Sequence, residues 1–285
     1  DQMRYDSQWK ALLASQDTFD VIYELKDLVE SWTNDTGTTV KQNSRQYNRR
    51  RVALAAKTKN EEAHDNASVN PLCLDLGIFT VPGERDPKST VTSCNQLYCQ
   101  AAIANLLVVE RLKEWADVSQ GMFQCLSESG GHEGASFVRW SEVKSDETKH
   151  SRVLWPSLKR QQRCLEKLLR SYNNDPSHLL DIARGRIVFS CLADLVACLR
   201  AILSDDQVSV GKIKNRLNPE YVANETAGYR DVCIKLQCIN TQARALGAEL
   251  HFCEVQLVLL EFLNTKDGHQ RYISARNAKL AAKGT

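Results

Sequence analysis

Three short apolar runs in the second half of the chain constrain the fold most, because each has the β-branched composition of a buried strand. The first joins Ile182 to residues 187–189, the second covers 232–236, and the third covers 255–260. Apolar runs of this length, rich in Val and Ile, are typical of strands in a protein core. The sequence therefore predicts a sheet in this half of the chain.

Polar residues interrupt or flank all three runs, although a core strand has no need of them. They are Asp181, Arg184 and Arg186 at the first run, Tyr229, Arg230 and Asp231 at the second, and Glu254 and Gln256 at the third. One carboxylate on each of two neighbouring strands can hold Mg²⁺, which takes hard oxygen ligands and few of them from protein. The nearby arginines suggest a phosphate as the other partner of the metal. Taken singly, each carboxylate is more often a strand cap or an arginine partner than a catalytic group.

The composition is that of a folded globular protein. Of the 285 residues, 42% are hydrophobic and 25% are charged, which allows one large core or two moderate ones. The formal net charge of +2 does not indicate a nucleic-acid or membrane partner. No apolar run reaches the roughly 18 residues that a membrane span needs. Because the first residue is Asp1 rather than Met, we expect the sequence to be a processed or excised piece.

The ten cysteines are numerous but form no C-x-x-C pair, so we expect no structural zinc. Cys191, Cys233 and Cys253 lie inside apolar patterns, where a free thiol behaves as a small hydrophobic group. We therefore expect reduced cysteines and a cytoplasmic or otherwise intracellular protein. The three N-x-[S/T] sequons are interpreted as chance.

Residues 1–134 are expected to form a helical region and residues 135–285 a second domain. Apolar residues at spacings of three and four predict a helix within 9–32, and another within 94–115. A basic helix is predicted over 45–59, and its charged face would either contact RNA or phosphate or be solvated. We favour the solvated face. The Gly/Ser-rich stretch 121–134 is the predicted boundary loop.

A cationic helix is predicted just before the first apolar run. Pro156 can begin a helix, and the pattern of 157–172 continues it. Lys159, Arg163 and Lys167 recur every four residues and would share one helix face. An ordinary solvated helix explains each of these residues about as well. Before the helix, 137–143 alternates like a short strand.

The polar residues also fall into three ordered motifs. These are D-x-x-x-x-R-I at 181–187, G-Y-R-D at 228–231 and E-V-Q-L at 254–257. In this order they resemble the synthetase domain of the RelA/SpoT family, the alarmone (p)ppGpp synthetases. The resemblance covers roughly residues 158–276, less than half of the chain. It implies an α+β protein, in which a helical region precedes a nucleotidyltransferase-like domain with a mixed sheet and the site on one face.

The resemblance implies a role for each matching residue. Asp181 would be a Mg²⁺ ligand, and Glu254 would share the metal or take the proton from the attacking hydroxyl. Lys159, Lys167 and Arg186 would hold the phosphates of ATP. The ring of Tyr229 would stack on the acceptor base. The other substrate-binding candidates are Arg184, Lys212, Lys214, Arg216, Arg230, Asp231, Gln256 and His269.

The chain departs from the family pattern, mostly on the acceptor side. Asp231 and Cys233 replace a Ser and a His, and Val258 with Leu259 replaces Arg-Thr. Ser157 stands where the ATP-binding motif has an arginine, which Arg152 would supply in another register. A guanosine nucleotide is the default acceptor, and an adenosine nucleotide or the end of tRNA are the others.

The predicted function is Mg²⁺-dependent transfer of pyrophosphate from ATP to the 3′-hydroxyl of a nucleotide. Two alternatives stay open: a catalytically silent relative that binds a nucleotide or a partner, and an RNA-directed toxin or effector. Retention of both carboxylates favours the enzyme, whereas the replaced positions favour the silent relative. The isolated His64-Asp65 pair predicts no hydrolase site.

Overall fold

The computed structural model describes residues 2–36, 40–42, 90–126, 136–226 and 228–263, and all that follows refers to these ranges. The basic stretch 45–59, the pair 64–65 and the candidate His269 lie outside them. In the described ranges, every helix is too short or too polar to span a lipid bilayer. None of the nine cysteines placed there takes part in a disulfide.

The helices fall before, between and after the strands. They are α1 (Gln2–Ala14), α2 (Gln16–Thr36), α3 (Cys94–Val118), α4 (Trp140–Val143), α5 (Glu147–His150), α6 (Gln161–Ser171), α7 (Leu192–Leu203), α8 (Thr241–Ala245) and α9 (Leu260–Leu263). Two short 3₁₀ turns cover Pro176–His178 and Ala223–Thr226. The single helix predicted within 9–32 is thus divided at Ser15 into α1 and α2.

Six strands form one mixed sheet. They are β1 (Met122–Cys125), β2 (Ser136–Arg139), β3 (Arg184–Phe189), β4 (Val208–Asn215), β5 (Val232–Cys238) and β6 (Phe252–Leu259). Their order across the sheet is β2-β1-β3-β6-β5-β4. The β3 and β6 strands are parallel, and the other neighbours are antiparallel. The predicted α+β architecture with a mixed sheet is confirmed.

The two faces of the sheet differ because side chains alternate along each strand. On β3, Gly185, Ile187 and Phe189 are buried, whereas Arg184 and Arg186 are exposed on the other face. The α3 and α7 helices pack against the sheet. A Cβ added to Gly185 would lie 2.2 Å from Leu112 Cδ1 of α3, so glycine allows the helix to approach β3 closely. The opposite face keeps its polar side chains for a site.

The first part of the chain is not purely helical, because the β1 strand precedes residue 134. The Gly/Ser-rich composition of 121–134 predicts a loop, but its first residues include Met122, Phe123 and Cys125, which are buried in the sheet. The average composition of these fourteen residues is dominated by Gly and Ser, so it does not reveal the four-residue strand. The α1 and α2 helices share one hydrophobic core with the sheet. The division at residue 134 stays a prediction, and β1 joins the two parts.

Two other local predictions need correction. The alternating stretch 137–143 is a strand only to Arg139, and then becomes the α4 helix. The α6 helix begins at Gln161 rather than at residue 157. Residues before it are extended, because Lys159 N donates to Ile182 O at 3.0 Å and Arg160 has strand-like backbone angles. The sequence patterns also missed β4 and α7.

Candidate active site

A cleft of about 1290 Å³ crosses the polar face of the sheet. Its floor carries Arg184 and Arg186 from β3 with Glu254 and Gln256 from β6. The segment 154–160 and the α6 helix form one wall, which carries further cations: Lys159, Arg160, Arg163, Lys167 and Arg170. Asp181 lies between this wall and the floor. The two predicted carboxylates and the predicted donor-side cations therefore line one cleft.

Asp181 is held between two lysines of the wall. Its carboxylate Oδ2 accepts from Lys167 Nζ at 2.9 Å and forms a short contact with Lys159 Nζ. Burial opposes ionisation of Asp181, but Lys167, Lys159 and Lys235 outweigh it and hold its pKa well below the usual range. The Asp181 carboxylate is therefore charged at neutral pH.

Lys159 and Lys167 meet at Asp181 although they do not share a helix face. Lys159 lies in the extended segment, where Tyr98 Oη donates to its carbonyl oxygen at 2.6 Å. Lys167 lies on α6 and approaches from the other side. Burial lowers the pKa of Lys159. The predicted pair of cations is thus present, but the backbone bond to Ile182 brings Lys159 there rather than helical periodicity.

Glu254 is held by a third lysine that the sequence did not single out. Lys235 on β5 is the register partner of Glu254 on β6, so both side chains are on the same face. Lys235 Nζ forms a short ion pair with Glu254 Oε2 and lies 3.4 Å from Leu180 O. Burial opposes the charge on Glu254, but Lys235 outweighs it and lowers its pKa. The sequence feature that could have identified Lys235 is its position as a charged residue inside an otherwise apolar strand.

A row of hydrogen bonds joins Glu254 to the exposed arginine of β3. Gln256 Nε2 donates to Glu254 Oε1 at 3.2 Å, and Arg186 Nη2 donates to Gln256 Oε1 at 3.1 Å. Cys233 Sγ lies 3.5 Å from Glu254 Oε2, and burial raises the pKa of its thiol to about 12. The Cys233 side chain is therefore a neutral donor at this position.

Gln42 ties together the two segments that carry the carboxylates. Its Nε2 donates to Leu179 O and to Phe252 O, both at 3.1 Å, and its Oε1 accepts from Phe252 N at 2.8 Å. Leu179 and Phe252 each precede a carboxylate residue by two positions. Gln42 is fully buried. Nothing in the sequence around this glutamine distinguishes it, because its partners are backbone atoms distant along the chain.

The donor set of the cleft fits a hard divalent cation. Asp181 Oδ1 is buried and has no hydrogen-bond partner among the described residues. Such an oxygen is suited to Mg²⁺, and Glu254 lines the same cleft. In the described part of the chain, no three His, Cys, Asp or Glu side chains group as a protein-only metal site would. The two carboxylates would therefore hold the ion with help from substrate phosphates.

Tyr229 lines the far end of the cleft, where the first helix covers it. Its ring lies edge-on to Tyr5 of α1, with ring centroids 6.3 Å apart. Only 8% of the Tyr229 surface is exposed. Thr226 and Arg216 line the same end. An acceptor base would reach only the part of this ring that faces the cleft, so stacking on Tyr229 stays a prediction.

Four other candidates do not line the cleft. The Arg230 guanidinium carbon lies 4.0 Å from the centre of the Trp9 ring, and its Nη1 donates to Arg216 O at 2.8 Å. Asp231 is fully buried and paired with Arg216. Lys212 and Lys214 are exposed on β4 and do not line the cleft. The strand pairing of β4 and β5 turns these four side chains to the α1 helix, the interior or solvent. A role for them in substrate binding stays a prediction.

No family model and no curated protein matches the sequence. Among solved structures, the chain is similar to the Type VI effector Tas1 in complex with its immunity protein, at 16% identity and a TM-score of 0.36. It is also similar to small alarmone synthetase 1 from Bacillus subtilis bound to its product pppGpp, at 18% identity and a TM-score of 0.34. A GTP pyrophosphokinase family protein from Streptococcus pneumoniae matches at 13% identity and a TM-score of 0.30.

These similarities cover part of each molecule. The effector match spans 59% of this chain and 62% of the effector chain. The synthetase match spans 43% of this chain and 66% of that chain, and the pyrophosphokinase match spans 49% and 74%. The chain therefore covers less than two thirds of the effector and of the synthetase, the first two structures named.

Proposed function

We propose that the protein transfers pyrophosphate from ATP to the ribose 3′-hydroxyl of a nucleotide. The observation that carries this proposal is that Asp181 and Glu254 line one cleft together with Lys159, Lys167 and Arg186. Phosphoryl-transfer catalysis depends mostly on positioning and on neutralising charge, and this cleft has the groups for both. The shared order of the three motifs with the alarmone synthetases supports the same reaction.

Each side of the cleft has its own task in this proposal. Lys159, Lys167 and Arg186 bind the donor phosphates, where fixed positive charge stabilises the transferring group. Magnesium, when bound at Asp181 and Glu254, neutralises further phosphate charge. Glu254 accepts the proton of the 3′-hydroxyl. Its low pKa keeps it ionised at neutral pH and so able to accept.

The acceptor would bind at the Tyr229 end. A guanosine nucleotide is the default there, because the tyrosine of the G-Y motif is retained. An adenosine nucleotide and the end of tRNA are the other acceptors to test. We place the reaction inside the cell, where the free thiols of the described cysteines would stay reduced.

A second candidate function follows from the lysine contacts of both carboxylates. Asp181 contacts two lysines and Glu254 one, so each negative charge already has a cationic partner. A domain that binds nucleotide phosphates without transferring them would have the same cations. The experiment therefore has to distinguish the proposed transferase from a regulatory domain that binds nucleotide without catalysis.

The test is a transfer assay with ATP labelled in its β and γ phosphates and Mg²⁺. Separate reactions would contain GDP or GTP, ADP or ATP, and bulk tRNA as acceptors. Asp181→Asn and Glu254→Gln keep the side-chain size and remove the charge. We expect label on one acceptor class and a loss of about a hundred- to a thousandfold in both variants, the scale of a lost charge-stabilising group.

Three results would reject or redirect the proposal. Nucleotide binding without transfer to any acceptor would leave the regulatory reading. Transfer that survives both substitutions would exclude these carboxylates as the site. Label on tRNA alone, with salt-sensitive tRNA binding, would favour the effector reading.

A further inference from the structure

The Lys235 ammonium occupies a position between the two carboxylates of the cleft. Its Nζ contacts Glu254 Oε2 and lies 3.4 Å from the carbonyl oxygen of Leu180, the residue before Asp181. The side chains of Lys235 and Glu254 are each 15% exposed. Water therefore screens this charge only weakly.

The balance of charge is unusual for a pair of metal-binding carboxylates. Lys159 and Lys167 contact Asp181, and Lys235 contacts Glu254, so three cations face two anions. A divalent cation at both carboxylates would have to displace an ammonium or lie beside it. The one buried oxygen of the pair without a partner in the described part of the chain is Asp181 Oδ1.

We propose that Lys235 is a positioning residue that acts as a built-in cation at Glu254. It fixes the Glu254 carboxylate on the floor of the cleft and confines divalent-cation binding to the Asp181 side. This inference rests on the proposed function and narrows it, because it assigns the metal ion to Asp181 alone instead of to both carboxylates. Glu254 is then kept for the hydroxyl of the acceptor, and Asp181 for the ion.

A lysine–glutamate ion pair with only a structural role would not influence divalent-cation binding in the cleft. Lys26 and Glu220 form such a pair at 2.8 Å, but Lys26 lies on α2 and does not line the cleft. Lys26→Met is therefore the matched control for the loss of a lysine from a Lys–Glu pair. The two pairs differ in position and in burial, since Glu220 is 73% exposed and Glu254 15% exposed. Of the two lysines, only Lys235 contacts a carboxylate of the cleft, so only its loss is expected to change metal binding.

The experiment measures Mn²⁺ binding to the full chain by the electron paramagnetic resonance of free Mn²⁺, without nucleotide. Lys235→Met removes the ammonium and keeps most of the stem, and Lys235→Gln keeps a hydrogen-bond donor if the Met variant fails to fold. We expect either variant to bind Mn²⁺ at least tenfold more tightly than the original chain. Lys235→Arg and Lys26→Met should leave the affinity unchanged.

A double variant tests whether Glu254 is the site of competition. Glu254→Gln combined with Lys235→Gln should return the Mn²⁺ affinity to that of the original chain. The inference fails if the single variants bind Mn²⁺ no more tightly than the original, including the case in which none of them binds it. It also fails if the double variant keeps the tighter binding.

The binding measurement is independent of catalysis. A chain that transfers no pyrophosphate but shows the expected Mn²⁺ response would lose the proposed function and keep the charge competition. A chain that transfers pyrophosphate with unchanged Mn²⁺ affinity in the Lys235 variants would keep the function and lose this inference.

Discussion

At the residue scale, neighbours decide what the two carboxylates can do. Asp181 and Glu254 were found from their positions beside apolar runs, but Lys235 and Gln42 were not. Burial alone would raise the pKa of both carboxylates, and the lysines reverse that direction. A charge that is buried and paired in this way is costly to leave without its partner. The site therefore depends on residues that carry no motif.

Gln42 gives the first prediction at this scale. Gln42→Leu removes three hydrogen bonds and leaves the buried carbonyls of Leu179 and Phe252 without that donor. We expect a loss of about 2–4 kcal/mol in the free energy of unfolding, measured by urea denaturation. The transfer rate should fall about tenfold or more, because both carboxylate segments shift.

Gln16→Leu is the control for this prediction. Gln16 Nε2 makes one exposed hydrogen bond, to Asp20, so its loss should cost less than about 0.5 kcal/mol. Equal stability losses in the two variants would mean that Gln42 does not join the two segments.

His251 gives a pH-dependent prediction. It is fully buried, both ring nitrogens lack hydrogen-bond partners among the described residues, and burial lowers its pKa to about 3. The unfolded chain, with a His pKa near 6.5, binds a proton that the folded chain does not bind between these values. The contribution of the neutral His251 side chain to the free energy of unfolding is therefore lost progressively as the pH falls below about 6.5.

The measurement compares urea unfolding at pH 7.5 and pH 5.5. Over this interval the original chain should lose about 1.3 kcal/mol more than His251→Leu, which has no group to protonate. The same pH sensitivity in both proteins would show that His251 takes up its proton in the folded state too.

At the element scale, the close approach of α3 to β3 creates the two faces of the sheet. Gly185→Ala places a methyl group against Leu112, which is fully buried and cannot move aside freely. We expect a destabilisation of about 1–3 kcal/mol by urea unfolding. Leu112→Ala alone should cost about 2–5 kcal/mol through its cavity.

The double variant checks that the two residues meet. In Gly185→Ala with Leu112→Ala, the added methyl group lies in the space left by leucine, so the combined loss should be smaller than the sum by about 1 kcal/mol. Strict additivity would mean that α3 does not contact β3 at this point.

The element boundaries show how tertiary contacts override a local pattern. The apolar pattern of 157–172 predicts one helix, but α6 begins four residues later. The backbone bond from Lys159 to Ile182 holds the preceding residues extended. Helical periodicity singled out Lys159 and Lys167, which both contact Asp181, but it is this backbone bond that positions Lys159.

At the scale of the whole molecule, the helical part and the sheet share one hydrophobic core. A chain restricted to residues 135–285 would lack β1 and α3, and would expose Ile187 and Phe189 on the face that α3 covers. We expect this piece to show no cooperative unfolding transition and to bind the dye ANS. When unfolding is monitored by circular dichroism, the full chain should show a single transition.

The alternative outcome bears on the expected division at residue 134. If the piece 135–285 unfolds cooperatively, with a midpoint close to that of the full chain, the two parts are independent domains. The helices α1 to α3 would then be an appendage rather than a component of the same core.

The sequence by itself determined the cores of β3, β5 and β6 and the charged residues beside them, because these depend on local patterns: apolar runs and charges at their edges. The sheet and its polar face followed from those patterns. The short β1 strand did not, since its three apolar residues lie within a Gly/Ser-rich stretch.

Only the tertiary structure decided which charges meet. Strand pairing placed Lys235 beside Glu254, and it turned Arg230 to Trp9 and Asp231 to Arg216. Such pairings join residues distant along the chain, and their energies depend on burial and register. A sequence read locally shows neither, so the chemistry of each carboxylate became visible only in the folded chain.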